Sequence, residues 1–220
     1  MARAVKEKLR KVLPDHTKIF IMYGATEAAA RLTYLEPDRF EDKIDSIGKP
    51  VPGVSIRVVD KQGRDVPVGQ TGELVAFGPN VMQGYWRDEA ATKIVLNHNG
   101  YHTGDLGFQD DEGFLYVTGR ADNILKVGGH KVNPIEIEDT ILDSGLAVEA
   151  VVIGFPDDLM GNRLLALVSP TDNEGSEQEI LKLCAKRLPK YKVPGEVKLV
   201  RSIPKNSAGK VDREKCADFF

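Results

Sequence analysis

The chain has 220 residues, of which 41% are hydrophobic and 29% are charged, a composition typical of a globular protein with one large or two small domains. Its 30 basic and 33 acidic residues leave a net charge of -3, which provides no basic surface for nucleic acid or an anionic membrane. The first 18 residues are charged throughout and contain no apolar stretch long enough for a signal peptide or a membrane span.

The cysteines and histidines show neither a disulfide pattern nor a metal-binding pattern. Cys184 and Cys216 are far apart, and the four histidines lack the spacing of metal ligands. These features favour a cytoplasmic protein with no membrane span and no nucleic-acid partner.

The first part of the chain is predicted to be rich in strands. Val5, Leu9 and Val12 share one face of an amphipathic first helix, and turn signals divide the β-rich sequence as in an antiparallel sheet or barrel. In chain order, the predicted elements are a helix over residues 2–13, a short buried strand over 18–22, β-rich sequence over 44–77 and a helix over about 88–95.

The pattern changes after about residue 120, which predicts a separate small α+β domain. A polar stretch over 171–179 is predicted to be a surface loop within it. The predicted elements are strands over 124–127, 150–155, 164–169 and 196–200, helices over 134–142 and 176–188, and a short final helix. We therefore predict an α+β protein with domains 1–119 and 120–220, joined by a hinge.

Residues 23–27, Tyr-Gly-Ala-Thr-Glu, directly follow a predicted strand, where α/β sheets present loops to ligands. They combine an aromatic face for a base, a glycine for close backbone approach, a hydroxyl for a phosphate oxygen and a carboxylate for Mg²⁺. A turn followed by a helix, with Thr26 as the N-cap and Glu27 in the first turn, explains the same residues.

Two carboxylates and a guanidinium follow later in the chain. Asp105 can accept hydrogen bonds from both hydroxyls of a ribose, although a Gly-Asp pair also occurs in plain turns. Arg120 and Asp122 lie at the predicted domain boundary, where an interdomain salt bridge is the alternative explanation.

Two further segments carry glycines and lysines. The sequence LKVGGHKV places Gly128 and Gly129 in a hairpin that lets a thin substrate pass, although a plain glycine turn also explains it. Lys210 ends a small-residue loop that begins at Lys205. A lysine on such a loop either reaches an anionic site in another domain or is merely solvated.

In this order and spacing, these five segments resemble the adenylate-forming superfamily, which contains acyl-CoA synthetases, 4-coumarate CoA ligases, firefly luciferase and peptide-synthetase adenylation domains. The resemblance covers essentially the whole chain and includes TGELVAFGPNVMQGYW, PIEIED and LPKYKVP. It implies that residues 1–119 are the β-rich, distorted-barrel part of a large AMP-binding domain and that residues 120–220 are the small mobile C-terminal domain.

The resemblance implies that the first segment binds ATP or AMP. Tyr23 would stack on adenine beside Gly24, Thr26 would contact the phosphoryl group, and Glu27 would position Mg²⁺. Thr26 and Glu27 are therefore candidate catalytic residues.

The resemblance assigns roles to four later residues as well. Asp105 and Arg120 would bind the ribose, and Asp122 would be the hinge about which the small domain swings. Lys210 would be the adenylation lysine, which offsets charge on the phosphoryl oxygens as the carboxylate attacks.

A second half-reaction would use the glycine hairpin. Lys126, Gly128, Gly129 and His130 would face coenzyme A, with Gly129 leaving room for the pantetheine arm. The thiol would then attack the acyl adenylate.

Four other residues of the matching segments are assigned structural roles. Glu136 and Glu138 are expected at the start of a helix, where carboxylates favour the N-terminal end of the dipole. Tyr85 and Trp86 are expected to pack against the β-rich region.

The family's Ser/Thr/Gly-rich phosphate loop is not found in these 220 residues. The resemblance implies that this loop and most of the acid-binding pocket belong to a missing N-terminal part of the same enzyme. We therefore expect no adenylation by the 220 residues alone, and self-association through an apolar face that the missing part would cover.

Three functions are compatible with these residues. The leading one is activation of a small carboxylic acid with ATP and transfer of the acyl group to coenzyme A. The others are loading of a carrier-protein phosphopantetheine and a non-catalytic nucleotide-binding or interaction module. The presence of every matched functional residue, including Lys210, favours an enzyme, whereas the loss of the phosphate loop favours the non-catalytic module.

Overall fold

Two compact units make up the fold. A computed structural model describes residues 3–171 and 176–220. One unit comprises residues 9–122, and the other comprises residues 123–220 with the beginning of the first helix. The predicted loop at 171–179 falls mostly on residues 172–175, which lie outside the described residues, as does residue 2 of the predicted first helix.

The first unit is built mainly from two antiparallel sheets. β1, β2 and β3 form one sheet in that order, and the other has the order β4-β5-β7-β6, with β8 paired to β7. The chain begins with α1 (Arg3–Val12), which is divided between the two units. The elements that follow in the first unit are β1 (Ile21–Tyr23), β2 (Thr33–Leu35), β3 (Lys49–Pro50), β4 (Ser55–Val59), β5 (Gly72–Phe77), α2 (Glu89–Val95), β6 (Leu96–Asn97), β7 (Gly100–Gln109) and β8 (Leu115–Arg120). The β-rich character predicted for this part of the chain is confirmed.

The prediction of a short buried strand over 18–22 is wrong about burial, and the observed strand begins later in the chain. β1 covers only Ile21–Tyr23, and Phe20 and Met22 are each 48% exposed. Within residues 3–171 and 176–220, β1 lies at the edge of its sheet and has a strand neighbour on one side only.

The second unit combines a three-stranded sheet, a two-stranded hairpin and helices. β11 pairs antiparallel with β12, and β12 pairs parallel with β13. The elements are β9 (Leu125–Val127), β10 (His130–Val132), α3 (Pro134–Leu142), β11 (Ala147–Asp157), β12 (Gly161–Pro170), α4 (Glu177–Arg187), β13 (Glu196–Leu199) and α5 (Arg213–Ala217). The predicted α+β fold class is confirmed.

Local signals in the sequence begin the two longer helices of this unit. Asn133 accepts a hydrogen bond from the backbone N–H of Ile135 at the start of α3. Ser176 and Glu179 form a reciprocal capping box at the start of α4. These caps explain why both helices begin where the periodicity predicts.

The three-stranded sheet is buried on both faces. One face packs against Ile137 of α3 and Ile180 of α4. On the other, Leu167 of β12 packs with Ile203 and Cys216. Both cysteines of the chain are buried and free, and burial raises the pKa of each thiol.

Two leucines of the second unit provide a matched test of this packing. Leu167 is 0% exposed and Leu159 is 94% exposed. We expect Leu167→Ala to cost about 2–5 kcal/mol through lost contacts and a cavity, and Leu159→Ala to cost less than about 0.5 kcal/mol. Urea unfolding followed by circular dichroism measures both, and equal midpoints for the two variants would contradict this packing.

Candidate functional site

Strand β7 carries a bulge at Gly104. Its register against β5 shifts between Glu73 and Val75. Gly104 has a φ of +72°, and a Cβ atom there would lie 2.9 Å from Nη2 of Arg120. The Gly-Asp pair is therefore not part of a plain turn, because it lies in a kinked strand.

Glu73 holds this bulge from the neighbouring strand. Its Oε1 accepts the backbone N–H of Gly104 at 3.2 Å, and its Oε2 lies 2.9 Å from Nδ1 of His102. Asn97 uses its Oδ1 to accept the N–H of Asn99, so its amide nitrogen faces Nε2 of His102. That arrangement assigns the proton of His102 to Nδ1, from which it donates to Glu73.

The bulge presents the carboxylate of Asp105. One oxygen, Oδ2, accepts a hydrogen bond of 2.6 Å from the Tyr23 hydroxyl. The other, Oδ1, lies 3.5 Å from Nη1 of Arg120, and the Asp105 side chain is 17% exposed. Since a carboxylate offers about four acceptor positions, Asp105 retains capacity for further donors.

Tyr23 is a neutral donor. Its burial raises the pKa of the phenol well above the usual range, and the hydrogen bond to Asp105 raises that pKa further. Its ring packs beside the buried clusters of the first unit. The structure therefore places an aromatic ring and a carboxylate side by side.

Glu27 lies in the loop after β1. The Tyr85 hydroxyl donates to its carboxylate at 2.7 Å, which lowers the pKa of Glu27 and keeps it ionised. The backbone oxygen of Glu27 accepts the N–H of Met82, also at 2.7 Å. A carboxylate in this state is suited to hold a divalent cation.

The packing role expected for Tyr85 and Trp86 is wrong. Tyr85 contacts Glu27, and the Trp86 side chain is 85% exposed. Both residues lie in a segment between β5 and α2 that has no neighbouring strand, so neither ring enters the sheet packing.

The loop after β1 returns close to its own start. A Cβ atom on Gly24 would lie 2.3 Å from the backbone oxygen of Ala30, so only glycine permits this approach. Asn80 fixes the far side by donating to the backbone oxygens of Ala28 and Arg31 at 2.9 and 2.8 Å. Sequence patterns gave no signal for this role of Asn80.

The alternative in which Thr26 caps a helix is wrong. A single 3₁₀ turn covers Thr26–Ala28, and its N-cap is Ala25, which has no side-chain hydroxyl. Thr26 is exposed in the first position of the turn. Its hydroxyl therefore does not cap this turn.

Arg120 forms its ion pair locally. Its Nε lies 3.1 Å from Oδ1 of Asp122, and this carboxylate raises the pKa of Arg120. Both residues belong to the unit of residues 9–122. The ion pair between them therefore lies within one unit, and both an interdomain salt bridge at this boundary and the hinge role of Asp122 stay predictions.

The glycine hairpin between β9 and β10 has the predicted form. Gly128 and Gly129 have φ angles of +55° and +80°, as in the tight turns that favour glycine. Lys126 and His130 are exposed on either side, and the His130 ring stacks on Tyr191 at 4.0 Å between centroids. Contact with coenzyme A stays a prediction.

Lys210 ends a tight turn and is exposed. The Oδ1 atom of Asn206 accepts the N–H groups of Ala208 and Lys210, each at 3.0 Å. The segment is therefore an ordered turn closed by hydrogen bonds, and Gly209 within it has a φ of +74°.

The helix-start role expected for the two glutamates holds for one of them. Glu136 lies in the first turn of α3 and pairs with Lys192 at 2.6 Å. Glu138 lies beyond that turn, and its Oε1 accepts the N–H of Val152 and a hydrogen bond from Arg213 at 2.8 and 3.1 Å. Glu138 therefore links α3 to β11 and α5, and it does not stabilise the N-terminal end of the helix dipole.

Metal clusters and membrane spans are both absent from the described residues. Across residues 3–171 and 176–220, no group of three or more His, Cys, Asp or Glu side chains is arranged to hold a metal ion. In the same part of the chain, no helix has both the length and the apolar character needed to cross a bilayer.

Family models match both units. The model of the AMP-binding enzyme matches residues 1–86, and that of the AMP-binding enzyme C-terminal domain matches residues 136–210. The chain is 35% identical over 213 residues to indoleacetate–CoA ligase of Aromatoleum aromaticum, a match that covers 96% of this chain and 41% of the relative.

Solved structures show the same fold. o-Succinylbenzoate CoA synthetase (MenE) from Bacillus subtilis, in complex with the acyl-adenylate intermediate OSB-AMP, matches with a TM-score of 0.86 and 30% identity, over 98% of this chain and 43% of that one. The same enzyme has been solved with ATP and a magnesium ion. The amide bond synthetase McbA from Marinactinospora thermotolerans matches with a TM-score of 0.90 and 30% identity, over 100% of this chain and 45% of that one.

These matches define the class of protein. The α+β fold is shared with an enzyme solved in complex with an acyl-adenylate intermediate. The chain belongs to the AMP-binding enzyme family, whose two domain models match it in this order. It spans about two-fifths of the length of the relatives that it matches, from 41% to 45%.

Replacement of Asp105 by asparagine tests the Tyr23 contact. We expect Asp105→Asn to lower the pKa of Tyr23, because the carboxylate charge and its hydrogen bond both favour the neutral phenol. Since the folded-state pKa is raised, the stability that this contact contributes is complete below the ordinary tyrosine pKa of about 10 and is lost as the pH rises above it.

Nuclear magnetic resonance of ¹³Cζ-labelled tyrosine measures this shift. Tyr116, whose hydroxyl donates to Asp110 at 3.1 Å, is the internal control and should titrate as in the unchanged protein. An unchanged Tyr23 titration in the variant would show that Asp105 is not its partner in solution.

Proposed function

We propose that the full-length enzyme containing this chain activates a small carboxylic acid with ATP and transfers the acyl group to the thiol of coenzyme A. A carboxylate oxygen attacks the α-phosphorus of ATP and pyrophosphate leaves. The thiolate sulfur then attacks the acyl carbon, which forms a thioester and releases AMP. The observation that carries this proposal is the placement of Asp105 in the β7 bulge between Tyr23 and Arg120.

Asp105 is suited to bind a ribose. Tyr23 occupies only part of the acceptor capacity of its carboxylate, so the remaining lone pairs can accept the two vicinal hydroxyls. Arg120 is 47% exposed beside it and can donate to the same sugar. The bulge also fixes the direction of the carboxylate, since Glu73 and the left-handed Gly104 set the backbone before it.

The loop after β1 is suited to the base and the phosphate. The ring of Tyr23 offers a face for adenine, and the backbone of Gly24 beside it is exposed. Thr26 is exposed and can donate its hydroxyl to a phosphoryl oxygen.

Glu27 fits the preference of Mg²⁺ for one or two protein carboxylates together with substrate phosphates. The cation would supply charge neutralisation at the phosphates when bound. Tyr85 orients the Glu27 carboxylate and keeps it ionised at neutral pH. This fit rests on the donor set of the loop and not on a cluster of acidic residues.

Lys210 is proposed as the cation of the first half-reaction. Attack of a carboxylate on a phosphate brings two anions together, and an ammonium group offsets the charge that develops on the phosphoryl oxygens. Its exposed position at the end of an ordered turn supports this role.

The β9–β10 hairpin is proposed to serve the second half-reaction. Lys126 and His130 flank two glycines that carry no side chain to obstruct a pantetheine arm, and a Cβ atom on Gly129 would meet nothing within 4 Å. Asp122, the last residue of the unit of residues 9–122, is proposed as the hinge that alternates the two reactions. The domains 1–119 and 120–220 stay a prediction.

The acceptor is the least constrained part of the proposal. The relatives include proteins named as CoA ligases, which supports coenzyme A, and one named as an amide bond synthetase. Transfer to a carrier-protein phosphopantetheine, the non-catalytic module, self-association, a cytoplasmic location and the inactivity of the 220 residues alone all stay predictions.

Titration with AMP tests the ribose site. We expect Asp105→Ala to weaken AMP binding by about tenfold or more, as expected when a charge-assisted pair of hydrogen bonds is removed. The 2′,3′-dideoxy form of AMP should bind both proteins equally weakly, because it lacks the hydroxyls that Asp105 would accept.

Isothermal titration of the full-length enzyme measures these affinities. Asp158→Ala, which changes an exposed carboxylate in the second unit, is the matched control and should bind AMP normally. Equal binding of AMP and its dideoxy form by the unchanged protein would rule out a ribose contact at Asp105.

A further inference from the structure

Two ion pairs flank the turn that carries Lys210. Lys205, at the start of the turn, pairs with Glu149 of β11. Arg213, just after its end, pairs with Glu138 at 3.1 Å. Both pairs attach the segment to the β11 side of the second unit.

The Arg213 attachment joins three elements. Its Nη1 donates to the backbone oxygen of Val152 in β11 at 2.7 Å, and its Nη2 donates to Glu138 of α3. The same Glu138 oxygen accepts the N–H of Val152, and its side chain is 13% exposed. This partly buried contact fixes the first residue of α5 against both α3 and β11.

The Lys205 attachment is more exposed but is reinforced by the backbone. Lys205 forms an antiparallel bridge with Val211, and the N–H of Asp212 donates to the oxygen of Pro204 at 3.0 Å. The N–H of Asn206 donates to the oxygen of Lys210 at 2.8 Å. These bonds close the base of the turn between the two ion pairs.

The core does not need either pair in order to hold this segment. Ile203 before the turn and Cys216 after it are buried against Val151 and Leu167. Loss of an ion pair should therefore loosen the turn without unfolding the unit. A variant that loosens the turn but leaves the unit folded would therefore show a positioning role and not a role in folding.

We propose that Glu149–Lys205 and Glu138–Arg213 form a two-point clamp that positions Lys210 for adenylation, which makes these four side chains positioning residues. The inference rests on the proposed function of Lys210. A lysine has many rotamers, so a rotating turn would spread its ammonium group over a wide volume. Anchoring the backbone on both sides removes that freedom before the substrate binds.

Hydrogen–deuterium exchange of the 220-residue chain tests the clamp directly. Lys205→Glu and Glu149→Lys should each speed exchange of the amides at 206–212 by about two- to fivefold, as expected for an exposed pair, and the double charge swap should restore it. Arg213→Ala should speed this exchange by about tenfold and Arg213→Lys by less. Lys182→Ala, on the exposed side of α4, is the matched control.

Half-reactions of the full-length enzyme test the positioning role. We expect the clamp variants to lower acyl-adenylate formation by about tenfold, with full thioester formation from a synthetic acyl adenylate. The double swap should recover adenylation together with exchange protection. Unchanged exchange in the single variants, or an equal loss in both half-reactions, would overturn the clamp.

The Lys210→Ala variant separates this inference from the proposed function. If Lys210→Ala adenylates normally, the proposed role of Lys210 is refuted, and the positioning role is refuted with it. The exchange data would still decide whether the two ion pairs hold the turn. If Lys210→Ala loses adenylation but the clamp variants do not, only the positioning role is refuted.

Discussion

The hydrogen bond from Tyr23 to Asp105 connects the two sheets of residues 9–122. Tyr23 ends the edge strand β1, and Asp105 follows the glycine bulge of β7. Neither group could be buried at low cost alone, because a phenol and a carboxylate each need a partner when they leave water. Their pairing fixes an aromatic face and a carboxylate at one place, and the proposed nucleoside site depends on it.

The surrounding residues either support that pair or extend it. Glu73 and Gly104 set the backbone that directs Asp105, whereas Arg120 leaves part of its guanidinium accessible. Tyr85 supports Glu27 of the loop after β1 in the same way, because its hydroxyl donates a hydrogen bond to the Glu27 carboxylate. In the second unit, backbone hydrogen bonds hold the turn that carries Lys210, whose side chain remains exposed.

Sequence patterns predicted the elements better than the contacts. Periodicity and caps located the helices and most strands, because these depend on neighbours along the chain. The resemblance to a known family singled out Tyr23 and Asp105 as site residues. It did not predict the hydrogen bond between them, which joins residues 82 positions apart. Partners such as Glu73 with Gly104 and Glu138 with Arg213 are 31 and 75 positions apart, and local pattern does not encode such pairings.

Exchange of labelled pyrophosphate into ATP by the full-length enzyme is the most direct measurement of adenylate formation. The acids in the names of the relatives, indoleacetate and 2-succinylbenzoate, are the first to supply. Our account predicts exchange that requires a carboxylic acid and that falls by about 10²-fold or more in Lys210→Ala. Binding of AMP at Asp105 without any acid-dependent exchange would contradict it and would favour a nucleotide-binding module without catalysis.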